Sequence, residues 1–190
     1  MLAIGSSSTA GVGASAPAKN YPAQFEGILE RAFKGLDVAV VNRGVSGEVA
    51  AMTADRLRTQ VALDKPDLVL WQVGTNDALS HVPVENFRAT VRDTIRWLKE
   101  HGVDVVLVGL QYTLSVAKDE YYASIRSTLQ ALAQTENVLL VRRFEAMEFL
   151  EKAKAGPFIS EDGLHLNDLG YHCMAEHVAR AVVVSAFLKK

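Results

Sequence analysis

Short runs of apolar residues alternate along this chain with longer segments in which apolar residues recur at helical spacing. The short runs have no polar face, which is typical of strands covered on both sides of a sheet. They predict strands over the first residues up to Ile4 and over residues 38–41, 68–73, 103–108 and 138–141. The longer segments predict helices over residues 22–35, 50–63, 87–101, 118–135, 144–154 and 169–188.

Strands that alternate with helices predict an α/β fold in which right-handed crossovers join parallel strands. We therefore expect a three-layer α/β/α sandwich around a five-stranded parallel sheet, as a single domain over residues 1–190. In such sheets, ligands bind beyond the carboxyl ends of the strands. Polar clusters at residues 5–9, 42–47 and 74–77 directly follow the first three predicted strands, so we expect these clusters to converge at that edge.

The composition supports a globular fold and argues against a nucleic-acid partner. Of 190 residues, 49% are hydrophobic and 22% are charged, close to the globular average. Twenty Lys and Arg residues against 22 Asp and Glu residues leave a net charge of −2, with no basic block. Nucleic-acid binding is therefore not expected. No apolar run reaches the roughly 18 residues of a membrane span.

Two features bear on the cellular compartment without fixing it. Cys173 is the only cysteine, which excludes an intrachain disulfide and a cysteine-rich metal site. Residues 1–16 end in small residues that resemble a signal-peptidase site, but they lack a basic start and an apolar segment of about 7–15 residues, so no signal peptide is expected. A cytoplasmic, periplasmic or secreted location, a segment before Met1 and the oligomeric state all stay open.

The first polar cluster offers a candidate nucleophile. Gly5-Ser6-Ser7-Ser8-Thr9 follows the first predicted strand at once. Glycine allows a sharp turn there, and small side chains let a substrate approach the backbone. A serine at such a point fits nucleophilic catalysis, and a plain loop fits the same residues. Residues 10–21 then form a Gly/Ala/Pro-rich loop that is long enough to line a site.

The last polar cluster offers a candidate base. Asp162-Gly163-Leu164-His165 puts a carboxylate three residues before a histidine. That spacing can bring an Asp162 oxygen to the Nδ1–H of His165 and leave Nε2 facing outward as a base. A surface loop with an unrelated histidine is the alternative.

Two further residues are candidates for binding an oxyanion. Asn76 follows a strand and a glycine, so its side-chain amide could point over the edge of the sheet. The alternative is that Asn76 and Asp77 cap their own turn through local bonds. Gly44 could offer an unhindered backbone N–H, or it could be a glycine that is needed only for a positive φ.

These segments, in this order and at these strand ends, together resemble the SGNH (GDSL) hydrolase family. The family's Gly-Asp-Ser-x-Thr block aligns with residues 5–9 and places the nucleophile at Ser7. Its Asp-x-x-His block matches residues 162–165, which implies that Asp162 and His165 complete a catalytic triad. The resemblance spans nearly the whole chain, and the joint pattern is more specific than any single block.

The other two blocks supply the oxyanion hole that the resemblance implies. The glycine of the second block falls on Gly44, within residues 42–47. The Gly-x-Asn-Asp block matches residues 74–77 and gives Asn76 as a donor, and the N–H of Ser7 would be a further donor. The fold implied is the flavodoxin-like α/β/α sandwich of that family.

One residue departs from the family's pattern. The aspartate before the nucleophile is Ser6 here. In the family this residue supports the turn and is not part of the triad, so the departure does not by itself abolish the mechanism. It makes Ser6 and Ser8 rival nucleophiles, whereas the flanking glycine and threonine favour Ser7.

The resemblance implies a serine esterase that hydrolyses small or medium acyl esters, for example acetyl esters, through an acyl-serine. Its substrate would be a small-molecule or carbohydrate ester, and neither a metal nor another cofactor would be required. Arg43, Gln111 and Tyr112 each fall just past a predicted strand end and are candidates for substrate contact, with loop packing as the alternative.

Three other functions stay open at this point. Ser6 favours a catalytically weak relative that binds glycans or acylated ligands. An acyltransferase would use the same residues with an alcohol or a sugar as the acceptor. A flavodoxin-like phosphate or nucleotide binder is the generic alternative for such a sheet, but the serine turn lacks the glycine spacing of a dinucleotide fingerprint or a P-loop.

Overall fold

The fold is built on a five-stranded parallel sheet. A computed structural model describes residues 1–35 and 37–188. Its strands are β1 (Leu2–Gly5), β2 (Val41–Gly44), β3 (Leu68–Gln72), β4 (Asp104–Val108) and β5 (Leu139–Val141). They lie in the order β2-β1-β3-β4-β5, and every neighbouring pair is parallel. This is a doubly wound order, in which the direction of winding reverses between β1 and β3.

Helices cover both faces of the sheet. They are α1 (Ser7–Ala10), α2 (Tyr21–Ala32), α3 (Ala50–Asp64), α4 (Thr75–Leu79), α5 (Val84–Glu100), α6 (Glu120–Thr135), α7 (Arg143–Lys152) and α8 (Asp168–Leu188), with a 3₁₀ turn at Pro17–Lys19. The predicted α/β/α sandwich is confirmed. Within residues 1–35 and 37–188, none of these helices combines the length and the apolar character that crossing a membrane requires.

Successive strand residues pack into opposite layers because side chains alternate along a strand. In β3, Val69 and Trp71 belong to the core beneath α3, α5 and α6. Leu70, between them, belongs to the core beneath α2 and α8. Both faces of the central strands are therefore apolar, which explains why their sequences show no polar face.

Helix α5 shows how the helical pattern builds one of these layers. Phe87, Val91, Ile95 and Leu98 recur at spacings of three and four and are all buried. Full burial of an apolar side chain of this size contributes about 1.5–3 kcal/mol. This stripe holds α5 against the sheet and so helps to fix β3, which leads into α4.

The second strand lies three residues later than predicted. The apolar residues 38–41 predicted it, but it is Val41–Gly44 that pairs with Leu2–Gly5 of β1. A polar sequence is tolerated because β2 is at the edge of the sheet. In addition, the Asn42 side chain donates to the Thr9 carbonyl oxygen and the Arg43 side chain donates to the Asp64 carboxylate. The second polar cluster therefore begins on the strand and not after it.

Two of the polar clusters form short helices at the site edge. Helix α1 begins at Ser7, directly after β1, and α4 begins at Thr75, shortly after β3. The first N–H groups of a helix have no intrahelical acceptor. Two adjacent central strands thus lead into helix starts that offer backbone donors at the same edge.

Candidate active site

Ser7 is the first residue of α1 and lies two residues beyond β1. Gly5 ends the strand at a crowded point, because a Cβ there would lie 2.7 Å from both the Gln72 carbonyl oxygen and Thr9 Oγ1. The N–H of Thr9 donates to the carbonyl oxygen of Ser6 at 3.0 Å, which winds the first turn. The N–H of Ser7 itself precedes that turn and has no intrahelical acceptor.

The serines on either side of Ser7 are buried and already bonded. Ser6 is 4% exposed, and its N–H and Oγ donate to Gln72 Oε1 at 2.9 and 3.1 Å. Ser8 is 5% exposed, and its Oγ donates to Gln111 Oε1 at 3.1 Å. Ser6 and Ser8 therefore have packing roles, and Ser7 is left as the candidate nucleophile of the cluster.

Two hydrogen bonds connect Ser7, His165 and Asp162. His165 Nε2 lies 2.9 Å from Ser7 Oγ, and its Nδ1 lies 2.5 Å from Asp162 Oδ2. With the Nδ1 proton directed at the carboxylate, Nε2 is free to accept the proton of the serine hydroxyl. The His165 side chain is only 17% exposed, so this base lies largely out of water. The fold thus brings together three side chains from opposite ends of the chain.

Asp162 is held in its ionised form by hydrogen bonds on both oxygens. Its Oδ1 accepts from Ser160 Oγ at 2.8 Å, from the Leu164 N–H at 2.9 Å and from the His165 N–H at 2.8 Å. The bond from the His165 ring, followed by the two backbone bonds, holds the pKa of Asp162 well below its usual range. An ionised carboxylate at this position can orient the imidazole and stabilise its protonated form.

Gln111 ties the histidine loop to the helix that carries the serine. Its Nε2 donates to the carbonyl oxygen of Leu164, the residue before His165. Its Oε1 accepts from Ser8, the residue after Ser7. The main chain of Gln111 is itself bonded on both its N–H and its carbonyl side. One buried amide therefore helps to set the separation between the serine and the histidine.

Asn76 and Asp77, in the first turn of α4, hold the segment after β2 beside the sheet edge. Asn76 Nδ2 donates to the Glu48 carbonyl oxygen at 2.9 Å, which uses one of its two amide hydrogens. Asp77 Oδ1 accepts from the N–H of Ala50, the first residue of α3, at 2.9 Å. Burial raises the pKa of the Asp77 carboxyl, and hydrogen bonds from the backbone of Ala50, Asp77 and Gly74 oppose this effect. Asp77 therefore caps α3 in addition to bonding within its own turn.

The prediction that Gly44 supplies an oxyanion donor is wrong. Its N–H donates to Asn42 Oδ1 at 2.9 Å, so the donor is already used within its own strand. Packing requires glycine at this position, because a Cβ would run into the backbone of Thr9 and Ala10 in α1. Gly44 therefore allows α1 to approach β2 closely.

Gly47, a second glycine of the same cluster, has the properties expected of a donor. The N–H of Val45 donates to the Gly5 carbonyl oxygen at 2.9 Å, and the Glu48 carbonyl accepts from Asn76, so the turn between them spans the site edge. Gly47 is exposed, has a φ of 84°, and its N–H meets no acceptor in the described part of the chain. The sequence shows two glycines within residues 42–47, and only the structure shows that the second of them has the positive φ.

Two of the three predicted substrate contacts are wrong. Arg43 makes a bidentate ion pair with Asp64 at 2.8 and 3.0 Å, at the end of α3 that is remote from the site. Gln111 is 2% exposed and its side chain is bonded at both ends. Tyr112 is 7% exposed, and its ring packs edge-on against Phe144 with 5.1 Å between centroids. Its contact with substrate stays a prediction.

Comparisons with known proteins assign the chain to a family. The Non-GDSL lipase-like family model matches residues 1–187. The chain belongs to this family. The resemblance to SGNH (GDSL) hydrolases is thereby confirmed.

Two relatives of this chain are named esterases. The arylesterase of Vibrio mimicus is 28% identical over 167 residues, which cover 87% of this chain and 79% of the relative. The acetylxylan esterase of Geobacillus stearothermophilus is 23% identical over 175 residues, which cover 85% and 80%. The crystal structure of TesA has a TM-score of 0.81 at 25% identity and covers 95% of this chain and 96% of that chain. The similarity in fold therefore extends over nearly all of this lipase-like chain.

Proposed function

We propose that this protein is a serine esterase in which Ser7 is the nucleophile and His165 is the general base and acid. Asp162 orients the histidine. The observation that carries the proposal is the unbroken chain of hydrogen bonds, 2.9 Å from Ser7 Oγ to His165 and 2.5 Å from His165 to Asp162. The first distance allows a proton to pass from Ser7 to His165, and the second allows Asp162 to orient the imidazole, without movement of these side chains. Membership of a lipase-like family supports the same chemistry.

The reaction proceeds in two halves. His165 Nε2 takes the proton of Ser7 as Oγ attacks the ester carbonyl carbon, and the imidazolium then protonates the leaving alkoxide. The alcohol departs and leaves the acyl group on Ser7. Water then attacks the acyl carbonyl while His165 accepts its proton, and the proton returns to Ser7 Oγ as the carboxylic acid is released. Asp162 stays ionised throughout.

Three donors are proposed for the oxyanion: the N–H of Ser7, the N–H of Gly47 and the free amide hydrogen of Asn76. The bond from Asn76 to the Glu48 carbonyl fixes the amide next to the Gly47 turn before substrate arrives. Donors held in place in advance need no rearrangement when negative charge develops, which is why such groups contribute strongly to catalysis.

The substrate is proposed to be a small or medium acyl ester of a small molecule or a carbohydrate. Relatives named arylesterase and acetylxylan esterase support this range. Val45 directly follows β2 and is 44% exposed, and Leu79 is the last residue of α4 and is 45% exposed. Apolar surface is therefore available beside the proposed oxyanion donors. Ser6 no longer favours a catalytically weak binding protein, because its bonds to Gln72 give it a supporting role.

Hydrolysis of a series of p-nitrophenyl esters of increasing acyl length tests the proposal. We expect turnover by the wild type, with kcat lowered by about 10⁴-fold or more in Ser7→Ala and His165→Ala. Ser127→Ala is the matched control, since the hydroxyl of this exposed serine donates to the Ser124 carbonyl oxygen within its own helix, α6. Turnover that survives Ser7→Ala, or no turnover by the folded wild type on any ester of the series, contradicts the proposal.

A further inference from the structure

A cavity of about 410 Å³ lies behind the loop that carries the histidine. It is bounded by α7, by α8 and by the segment after β4, and apolar side chains such as Met147, Leu150 and Phe158 dominate its walls. Neither Ser7 nor His165 belongs to the lining among the described residues. One water molecule needs about 10–15 Å³ of such a volume, so the cavity has room for a ligand much larger than water.

Arg143, the first residue of α7, is a buried cation in this lining. It is 2% exposed, and among the described residues it has no carboxylate partner. Its Nε donates to the Gly109 carbonyl oxygen at 3.1 Å. Its terminal nitrogens have weaker contacts, 3.4 Å to Thr75 Oγ1 and 3.7 Å to the Met174 sulfur. A guanidinium group has five N–H donors, so this one has donors to spare in a place where unpaired charge is unfavourable.

The other titratable groups of the lining do not balance this charge. Burial raises the pKa of the Cys173 thiol and lowers the pKa of His177, so both are neutral near neutral pH. Glu151 is exposed and lies eight residues further along α7, which corresponds to about 12 Å along the helix axis. That separation is too large for an ion pair with Arg143.

We propose that this cavity binds an amphiphilic carboxylate. The carboxylate group bonds to the guanidinium of Arg143, and the hydrocarbon part lies against the apolar walls. A planar carboxylate matches the geometry of two guanidinium N–H groups, and its single negative charge balances one cation. A phosphate monoester carries a charge of about −1.5 to −2, and the described lining contains no second Lys or Arg for it.

The position of the cavity links such a ligand to the catalytic loop. Gly163 and Leu166 line the cavity. Gly163 directly follows Asp162 in the sequence, and Leu166 directly follows His165. A carboxylate amphiphile bound there contacts the back of this loop. Ser7 and His165 are not among the described residues that line the cavity, and binding of a carboxylate to Arg143 does not require the proposed esterase reaction.

Isothermal titration of the full chain with octanoate near pH 8 tests the proposal, with octan-1-ol as the uncharged ligand of equal chain length. We expect octanoate to bind at least about tenfold more tightly than octanol, because a hydrogen-bonded charge pair is gained. Arg143→Met is expected to abolish this preference while retaining weak binding of octanol. Ala146→Phe fills the cavity from α7 with Arg143 intact and is expected to abolish binding of both ligands.

Ala123→Phe, an exposed substitution on α6, is the matched control for Ala146→Phe and is expected to bind like the wild type. Equal affinity for octanoate and octanol, no octanoate binding by the wild type, or undiminished binding by Ala146→Phe overturns the proposal. If Arg143→Met does not fold, the comparison of the two ligands and the Ala146→Phe variant still decide the matter. Ester turnover enters none of these readouts, so failure here is distinct from failure of the proposed function.

Discussion

At the scale of single residues, the candidate site depends on polar side chains that are held in place by hydrogen bonds to their neighbours. Asp162 Oδ1 accepts three hydrogen bonds, and Oδ2 accepts the bond from the histidine ring. Asn76 uses one amide hydrogen on the Glu48 carbonyl and keeps the other. Such bonds fix the orientation of each side chain before substrate binds, so its catalytic atoms do not have to rotate into place during the reaction.

Asn76→Ala is expected to lower kcat by about 10²–10³ with a smaller change in KM, because an oxyanion donor acts mainly in the transition state. Steady-state ester hydrolysis measures both constants. Asn76→Asp is the sharper variant, since it keeps the size of the side chain but puts negative charge beside the oxyanion. It is expected to be at least as impaired as the alanine variant, and wild-type kcat in Asn76→Ala would show that Asn76 is not a donor.

Gln111→Met is expected to lower kcat by about tenfold to a hundredfold, because a small displacement of His165 from Ser7 is costly in rate. The methionine keeps the length of the side chain and removes both the donor to Leu164 and the acceptor for Ser8. Gln24→Met is the matched control, since its amide also donates to a backbone carbonyl but lies on α2. The positioning role requires kcat to fall with KM nearly unchanged; an equal effect of both variants would exclude it.

The hydrogen bonds to Asp162 also make a prediction about stability and pH. Because they lower its pKa in the folded protein, the stabilisation is fully present above the unfolded value of about 3.9 and is lost as the pH falls through the folded value. Asp162→Asn is therefore expected to be less stable than the wild type at neutral pH, and the difference is expected to shrink below about pH 4. Urea unfolding at both pH values measures this.

The control for that experiment is Asp93→Asn, an exposed carboxylate whose ion pair is with the neighbouring Arg92. Its free energy of unfolding is expected to stay close to that of the wild type at both pH values, since exposed pairs of this kind contribute little. An Asp162→Asn difference that is the same at neutral and acidic pH would contradict the linkage.

At the scale of secondary-structure elements, the site depends on how closely α1 lies on β2 and how α4 holds the start of α3. Gly44 allows the first of these contacts, since its missing Cβ leaves room for the backbone of Thr9 and Ala10. Asp77 makes the second contact through the Ala50 N–H. Both contacts join elements that are distant in sequence.

Gly44→Ala is expected to lower the free energy of unfolding by about 1–3 kcal/mol, as added atoms do in a well-packed place, and to reduce activity by displacing α1. Gly27→Ala is the matched control. Gly27 lies inside α2, and a Cβ there would meet only Arg31 Nη1 at 3.4 Å. Alanine favours a helix by about 0.5–1 kcal/mol over glycine, so this variant is expected to be as stable as the wild type or more so. Chemical denaturation compares them, and equal stability of the two variants would contradict the packing role.

The sequence predicted the elements well where one physical effect dominated. The stripe of apolar residues in α5 and the apolar runs of β3 and β4 require burial, so their positions were predicted nearly as observed. Strand β2 was misplaced because residues 38–41 are more apolar than Val41–Gly44, whereas pairing with β1 selects the later segment. The pairing depends on contacts that a local pattern does not contain.

The candidate site was predicted in part for a similar reason. The joint pattern of blocks gave the positions of Ser7, Asp162 and His165, and their catalytic roles stay predictions until activity is measured. The occupied N–H of Gly44 could not be predicted, because it depends on the side-chain rotamer of Asn42. The buried bonds of Gln111 depend on partners 53 and 103 residues away in the sequence.

At the scale of the whole molecule, the doubly wound sheet explains why residues from the two ends of the chain meet. The winding reverses between β1 and β3, and α1 and α4 begin beyond the carboxyl ends of these two strands. Helix α8 packs against α2, so the loop that precedes α8 is delivered to the same edge. The histidine therefore reaches Ser7 through the packing of the closing helix.

The most direct test of the central claim is the intact mass of the protein after exposure to a fluorophosphonate, followed by peptide mapping. An activated serine forms a stable phosphonyl ester, so we expect a single adduct on Ser7 that is absent in His165→Ala. Failure of the folded wild type to form an adduct, or an adduct on Ser6 or Ser8, would contradict the assignment of Ser7 as the nucleophile.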